Sequence, residues 1–391
     1  MPNARFDRWH EADASCPACG AVGLEHFYQV DEVPTTSNLL MPSRQQAFNW
    51  PRGHLRLARC PACGFIANTV FDDSRQQLTS RYEATQACSA TFNAFARKLA
   101  DDWISRYQLR GKRLVEVGCG QGEFLAMLSE MADSPAWGFD PIIDRSRVPA
   151  SSRVMFLPEK YDATRWAHLA PDFVVCRHTL EHIPNVAGFL REIRRGIEAN
   201  RQAIVAIEVP DQRRVMNQGA FWDIYYEHCS YFDEVALKSA LMQAGFEPLS
   251  SRLEFDGQYL IVESRVGTAR RNDPPDGSAV DRFVRACGEK IRFWKQELSR
   301  VGRRTVIWGS GSKAVGFLTT LGINDAVEAV VDINPAKQGT FLPGSGHEII
   351  APDRLADIKP DRVIVMNPVY VGEIERSLSR LGVSAEILAL S

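Results

Sequence analysis

The sequence predicts an α/β protein in three parts. A doubly wound, mostly parallel sheet stands in the middle, a small cysteine-pinned domain precedes it, and a Rossmann-like domain follows it. Three observations predict this. Two matched Cys-Pro-x-Cys-Gly knuckles stand within residues 1–73. From residue 74 onward, short apolar runs alternate with helical patterns, the signature of strands joined by crossover helices. A second glycine-rich loop, with an acid on the next apolar run, opens the last section.

The first section, residues 1–73, reads as a zinc-binding domain. Its knuckles are Cys16-Pro17-Ala18-Cys19-Gly20 and Cys60-Pro61-Ala62-Cys63-Gly64, each with a glycine where backbone amides turn toward sulfur. Cys16, Cys19, Cys60 and Cys63 supply four thiolates, a full tetrahedral set for structural Zn²⁺ with no position left for catalysis. Redox Cys-x-x-Cys motifs are the alternative, but those sit on strand-to-helix turns and rarely come as matched knuckles. The metal is expected to staple a domain too small to fold on its core alone. The segment Pro34-Thr35-Thr36-Ser37-Asn38, between the knuckles, is long enough to reach over a neighbouring site.

The second section, residues 74–270, carries strand-like runs at Arg113–Val117, Ala136–Phe139, Phe173–Cys176, Ala203–Val209 and Tyr259–Ser264. Helical spacing lies between them, at Phe124–Met131 and Val186–Ile197. Ligands of such sheets bind beyond the carboxyl ends of the strands. There the chain reads Leu-Val-Glu-Val-Gly-Cys-Gly-Gln-Gly-Glu-Phe, with Glu116 followed by Gly118, Gly120 and Gly122. Glycine lets the backbone bend sharply and lets a ligand lie against bare peptide. Asp140 ends the next run, where an acid can take the two hydroxyls of a ribose. A Walker-type phosphate loop ends in Gly-Lys-Ser/Thr. This loop ends Gly122-Glu123-Phe124, and Glu123 would repel a pyrophosphate. S-adenosylmethionine has no phosphate and carries a cationic sulfur. The stretch resembles motif I, E/D-x-G-x-G-x-G, of the class I S-adenosylmethionine-dependent methyltransferases.

The third section, residues 277–391, follows a linker, Arg271-Asn272-Asp273-Pro274-Pro275-Asp276-Gly277. A helical stretch, Val280–Arg300, leads to a strand, Thr305–Trp308, then Gly309-Ser310-Gly311-Ser312-Lys313-Ala314 and, on the next strand, Asp332. This fits a second nucleotide-binding half-fold. Lys313 stands where a pyrophosphate would meet a helix N-terminus. A Rossmann-like domain kept only for packing is the competing reading.

The chemistry-bearing segment is Trp222–Phe232, which holds Tyr225, Tyr226, Glu227 and His228. In a helical or irregular turn Tyr225 and His228 share a face. A second histidine, His182, lies just past a strand end in Arg177–Pro184. An isolated histidine beside aromatics is usually structural, but two histidines with a tyrosine and an acid make a proton-transfer site.

Nearly the whole chain resembles the C-methyltransferases with an N-terminal zinc domain that act on nucleotide-linked keto-sugars. The cysteine pair, the glycine motif and Tyr225-Tyr226-Glu227-His228 followed by Tyr231-Phe232 carry the resemblance, together with Asp332–Gly339 and Leu342-Pro343-Gly344. It implies a class I methyltransferase sheet, His228 as general base, and Tyr225, Glu227 and His182 as its assistants. It also implies a C-terminal domain that helps hold the substrate nucleotide, with Lys313 and Asp332 as substrate contacts. The chain departs from the family at Tyr226, where histidine is common, and at Ser345-Gly346-His347-Glu348-Ile349. The expected reaction draws a proton from a carbon next to a ketone. Glu227 would hold the His228 imidazole, and Tyr225 and His182 would donate to the enolate oxygen.

Composition narrows the partners. The 391 residues are 45% apolar and 24% charged, with net charge −2. This is the balance of a soluble enzyme of two or three domains. There is no polybasic run, so no nucleic-acid partner is expected. No stretch approaches a membrane span, and the first residues lack the apolar segment of a signal peptide. Nine cysteines without an export signal suggest a reducing compartment, so the expected location is the cytoplasm. Three other readings remain at this stage. They are a methyltransferase for a C, O or N atom of a metabolite without a nucleotide, a dehydrogenase using the C-terminal loop, and a zinc-binding adaptor.

Overall fold

Three sheets organise the chain in the computed structural model, which describes residues 4–76, 79, 81–268, 273–300, 302–323 and 325–391. The first sheet is antiparallel, built on the long strand Val22–Pro34 and its partner Arg52–Arg59, and continued by Ile66–Asn68. Its last strand is borrowed: Ser230–Tyr231, from beyond the chemistry-bearing turn, pairs with Ile66 and Ala67. The two knuckles repeat one backbone pattern. Gly20 N–H donates to Cys16 O at 2.8 Å, Gly64 N–H to Cys60 O at 2.9 Å, and both glycines take positive φ, +75° and +81°.

The second sheet has seven strands. Leu114–Val117 lies between Phe173–Arg177 and Ala136–Phe139, all parallel, and Val154–Leu157 extends that edge. On the other side Ile204–Pro210 is parallel to Phe173–Arg177, and the antiparallel pair Tyr259–Val266 and Phe246–Glu254 closes the sheet. Val154–Leu157, Phe246–Glu254 and the helix Ala90–Tyr107 go beyond the sequence reading. Leu114, Val115 and Val117 are buried, as expected of strands covered on both faces.

The third sheet is five parallel strands, with Thr305–Trp308 at its centre between Ala329–Val331 and Arg362–Val365. The helix Ala279–Leu298 precedes it, one residue earlier at its start than the periodicity suggests and two earlier at its end. Of the expected linker, residues 271 and 272 lie outside the described residues, as does residue 270 at the edge of the second section. Among the described residues, no helix is long and apolar enough to cross a membrane.

The helix Ser312–Leu321 is pressed onto the turn that precedes Tyr225. A Cβ at Gly316 would stand 2.8 Å from Trp222 O and 3.2 Å from Ile224 O, so glycine is what permits this approach. Tyr226, the departure from the family pattern, is a core residue. Its ring is buried, and its hydroxyl accepts from Asp72 N–H at 3.0 Å and donates to Asp72 O at 3.1 Å.

Candidate active site

The four cysteines of the first section converge. Their Sγ atoms lie within 4.8 Å of one another, with Cys16–Cys63 at 3.8 Å and Cys19–Cys60 at 3.7 Å. Four thiolates about 2.3 Å from one Zn²⁺ form a tetrahedron with edges of about 3.8 Å, so the cluster fits the ion.

A cavity of about 1560 Å³ runs along the carboxyl ends of the second sheet and reaches the third. Glu116, Gly118, Gly120 and Asp140 line one part of it, and Gly309, Lys313 and Asp332 another. His182, Tyr225, Glu227 and His228 line it as well.

The three glycines of the cofactor loop differ in what they do. All have positive φ: +77°, +56° and +82° for Gly118, Gly120 and Gly122. A Cβ at Gly118 would run into Thr179 at 2.0 Å, and one at Gly122 into the Phe156 ring at 2.0 Å. At Gly120 it would meet nothing within 4 Å. Only Gly120 therefore offers bare peptide to a ligand, and the other two serve packing. Asp140 ties the loop down. Its Oδ2 accepts from Gly120 N–H and its Oδ1 from Ile142 N–H, both at 2.9 Å, and each oxygen keeps a second lone pair. Glu116 is buried with Oε2 unpartnered, and burial pushes its carboxyl up to about 8. An orphaned buried carboxylate on the wall of an acid-lined cavity suits a cationic ligand such as S-adenosylmethionine.

The third sheet repeats the device. Gly309 N–H bonds Val331 O at 2.8 Å, as Gly118 N–H bonds Phe139 O at 2.8 Å. Asp332 Oδ2 accepts from Ser310 N–H at 2.9 Å and Oδ1 from Asn334 N–H at 2.9 Å. Lys313, the expected pyrophosphate contact, is ion-paired: its Nζ is 2.7 Å from Asp223, which also takes Arg214 at 2.6 Å.

The turn Tyr225–His228 is irregular and brings the two side chains together, as their spacing suggests. His228 N–H bonds Tyr225 O at 3.2 Å, and Tyr225 OH is 2.8 Å from His228 Nε2. Burial, then the neighbouring His182, His178 and Lys313, holds His228 well below the usual histidine range. Its ring is therefore neutral at neutral pH, as a base must be. The His182 ring centroid is 4.9 Å away, and its Nδ1 lies 2.9 Å from Glu227 O. A carbonyl only accepts, so Nδ1 carries the hydrogen and neutral Nε2 is an acceptor. His182 donates to an oxygen only as an imidazolium.

One expected role changes. Glu227 does not hold the His228 imidazole with its carboxylate. Thr36 OH at 3.1 Å, Ser37 N–H at 2.9 Å and Ser37 OH take that carboxylate instead, all from the segment between the knuckles. Tyr225 is the residue whose hydroxyl reaches the His228 ring.

Tyr82, Ser312 and His178 belong to the site and were not picked out by spacing. Tyr82 lines the cavity, and no local pattern marks it. His178 has positive φ, +49°, and lies 2.8 Å from Glu208 and 3.4 Å from Glu181. Burial alone would lower it, but the two carboxylates raise it to about 9. Its place just past the strand Phe173–Arg177 was the available signal.

Residues 92–251 match the family described as a methyltransferase domain, and residues 280–384 match the family described as the C-methyltransferase C-terminal domain. Among solved structures, one similar chain is 1,6-didemethyltoxoflavin-N1-methyltransferase of Burkholderia thailandensis, with 1,6-didemethyltoxoflavin and S-adenosylhomocysteine bound. It is 18% identical, with 46% of this chain and 81% of that one covered, at a TM-score of 0.35. A SAM-dependent methyltransferase from Aquifex aeolicus is 18% identical over 43% of this chain and 89% of that one, at a TM-score of 0.33. Magnesium protoporphyrin IX methyltransferase from Synechocystis, with SAM bound, is 14% identical over 47% and 86%, at a TM-score of 0.32. No curated protein sequence matches the chain. The chain thus carries a methyltransferase domain followed by a C-methyltransferase C-terminal domain, and it is an S-adenosylmethionine-dependent methyltransferase.

Proposed function

We propose that the protein methylates a carbon next to a ketone in a nucleoside-diphosphate-linked deoxy-keto-sugar, with His228 as the general base. The observation that carries this is the shared cavity. One wall is the cofactor loop with Asp140, another is the matching loop with Asp332, and the two histidines line the same space. S-adenosylmethionine, when bound, supplies an electrophilic methyl group on a cationic sulfur. Glu116, Gly120 and Asp140 would hold it. His228 accepts the proton from the substrate carbon, and the C–H electron pair enters the enolate. His182, as an imidazolium, donates to the enolate oxygen. Positioning supplies most of the rate, and the base contributes on the order of 10² to 10⁴.

Thermal shift with S-adenosylhomocysteine and a panel of nucleoside diphosphates tests both halves of the cavity. Stabilisation by the thioether, and further stabilisation by one diphosphate, is the expected result. A second reading has support from Lys313, whose charge is already paired with Asp223. The acceptor is then a metabolite without a nucleotide. No diphosphate would stabilise the protein, and Lys313→Met would leave acceptor affinity unchanged.

A further inference from the structure

Two groups of metal-binding side chains converge among the described residues. One is the four-cysteine cluster. The other stands in the cavity. One ligand atom from each of Glu181, His182 and His228 lies within 4.8 Å of the others, the same bound that holds for the four sulfurs. All three residues line the cavity. Glu181 is 2% exposed, and its Oε2 has no hydrogen-bond partner among the described residues. A carboxylate oxygen buried without a donor costs free energy until a ligand completes it.

Each side chain is also held from behind. A metal-ligating histidine gives its other N–H to an outer acceptor. His182 gives Nδ1–H to Glu227 O at 2.9 Å, so its Nε2 lone pair is free to ligate. Tyr225 OH stands 2.8 Å from His228 Nε2, and a phenol oxygen can accept there. The other oxygen of Glu181 lies 3.4 Å from His178 Nδ1, and Glu208 holds His178 in turn at 2.8 Å. Ligands about 2.0–2.2 Å from an ion stand about 3.3–3.5 Å apart at tetrahedral angles, so side-chain rotation closes the set. Two imidazoles and a carboxylate suit a divalent first-row transition ion, where four thiolates suit structural zinc.

We infer that Glu181, His182 and His228 form a second cation site, for a divalent first-row transition ion, with its remaining coordination positions open to the cavity. A neutral imidazole has one nitrogen with a free lone pair. The ion and the substrate proton therefore compete for the same atom of His228, and the loaded site is an inhibited state. The inhibition rests on the reading of His228 as the base. The site itself does not.

The test needs no substrate at its first stage. Protein with zinc in the cysteine cluster is titrated with Co²⁺ at pH 7.5 and followed by equilibrium dialysis and visible absorption. One further ion per chain should bind, with cobalt d–d bands and no thiolate-to-cobalt charge transfer. Glu181→Gln, His182→Gln and His228→Gln should each weaken Co²⁺ by at least about 10²-fold. His168→Gln, which changes an exposed histidine elsewhere, should leave it unchanged. Uptake of no further ion, cobalt that only displaces zinc from the thiolates, or wild-type affinity in any of the three variants would overturn the site. Retained S-adenosylhomocysteine binding shows that a variant is folded. Should one misfold, the wild-type stoichiometry and the other two decide the question. Turnover should then fall in step with Co²⁺ occupancy and return when a chelator removes the ion. Full turnover with the site loaded would overturn the inhibition, and His228 as base with it, while leaving the site in place.

Discussion

Ser230 pairs with Ala67 in the first sheet, two residues after His228 and four after Cys63. The strand that leaves the Tyr225–His228 turn is thus a strand of the zinc-binding domain. Asn68 N–H bonds Cys229 O at 2.9 Å in the same contact. A metal that merely staples a small domain would stabilise it and no more. Here the stapled strand also sets where His228 begins.

Removing the metal should therefore cost turnover before it costs cofactor binding. Cys63→Ser is expected to lower bound zinc and to cut kcat by about 10²-fold, the scale set by ångström-level misplacement of a reacting group. The affinity for S-adenosylhomocysteine should change little, because its loop belongs to the second sheet. Metal analysis and calorimetric titration on one preparation check both.

The glycines of the cofactor loop should separate under substitution. Gly118→Ala drives a methyl into Thr179, 2.0 Å from its hydroxyl, and should cost about 1–3 kcal/mol of stability as overpacking. Gly120→Ala faces open space and should cost only the left-handed backbone penalty of about 1–2 kcal/mol, while its methyl occupies ligand space. Melting curves should fall further for Gly118→Ala. Cofactor affinity should fall in Gly120→Ala even where the fold is intact.

Cofactor binding should release a proton from Glu116. Its carboxyl, pushed up to about 8 by burial, is mostly neutral at pH 7. A cationic ligand favours the charged form, so its pKa falls on binding and affinity rises with pH toward 8. Titration calorimetry at pH 7 in two buffers of different ionisation enthalpy should give different apparent heats. Glu116→Gln should bring them together.

His178 should mark the stability profile on the alkaline side. Burial opposes its charge, but Glu181 and Glu208 raise it from 6.5 to about 9. For a histidine with a raised folded pKa, the stabilisation is complete below 6.5 and is lost as pH climbs through 9. Denaturant melts should show a decline across that window in the wild type and a shallower one in His178→Gln.

Legibility in the sequence followed the range of each interaction. The four cysteines, the cofactor loop and Asp140 announce themselves because their chemistry demands particular residues at short spacing. Tyr225 and His228 were legible for the same reason, since three residues in a turn bring their side chains together. Glu227 was misread because its partners, Thr36 and Ser37, stand about 190 residues earlier in the chain. Ser312 was visible only as part of a glycine loop. Its hydroxyl partners, Ser37 and Asn38, stand 275 and 274 residues earlier in the chain. The strand Val154–Leu157 is a run of four apolar residues that the sequence reading passed over; its place at the sheet edge leaves Met155 exposed.

The central claim is that His228 takes the proton from the acceptor carbon. Incubating a nucleoside-diphosphate-linked deoxy-keto-sugar with the protein and S-adenosylhomocysteine in ²H₂O, and following deuterium at the carbon next to the ketone by NMR, tests it most directly. The wild type should wash deuterium in, and His228→Ala should not, while still binding both ligands. Full exchange in His228→Ala would contradict the account and move the base to His182.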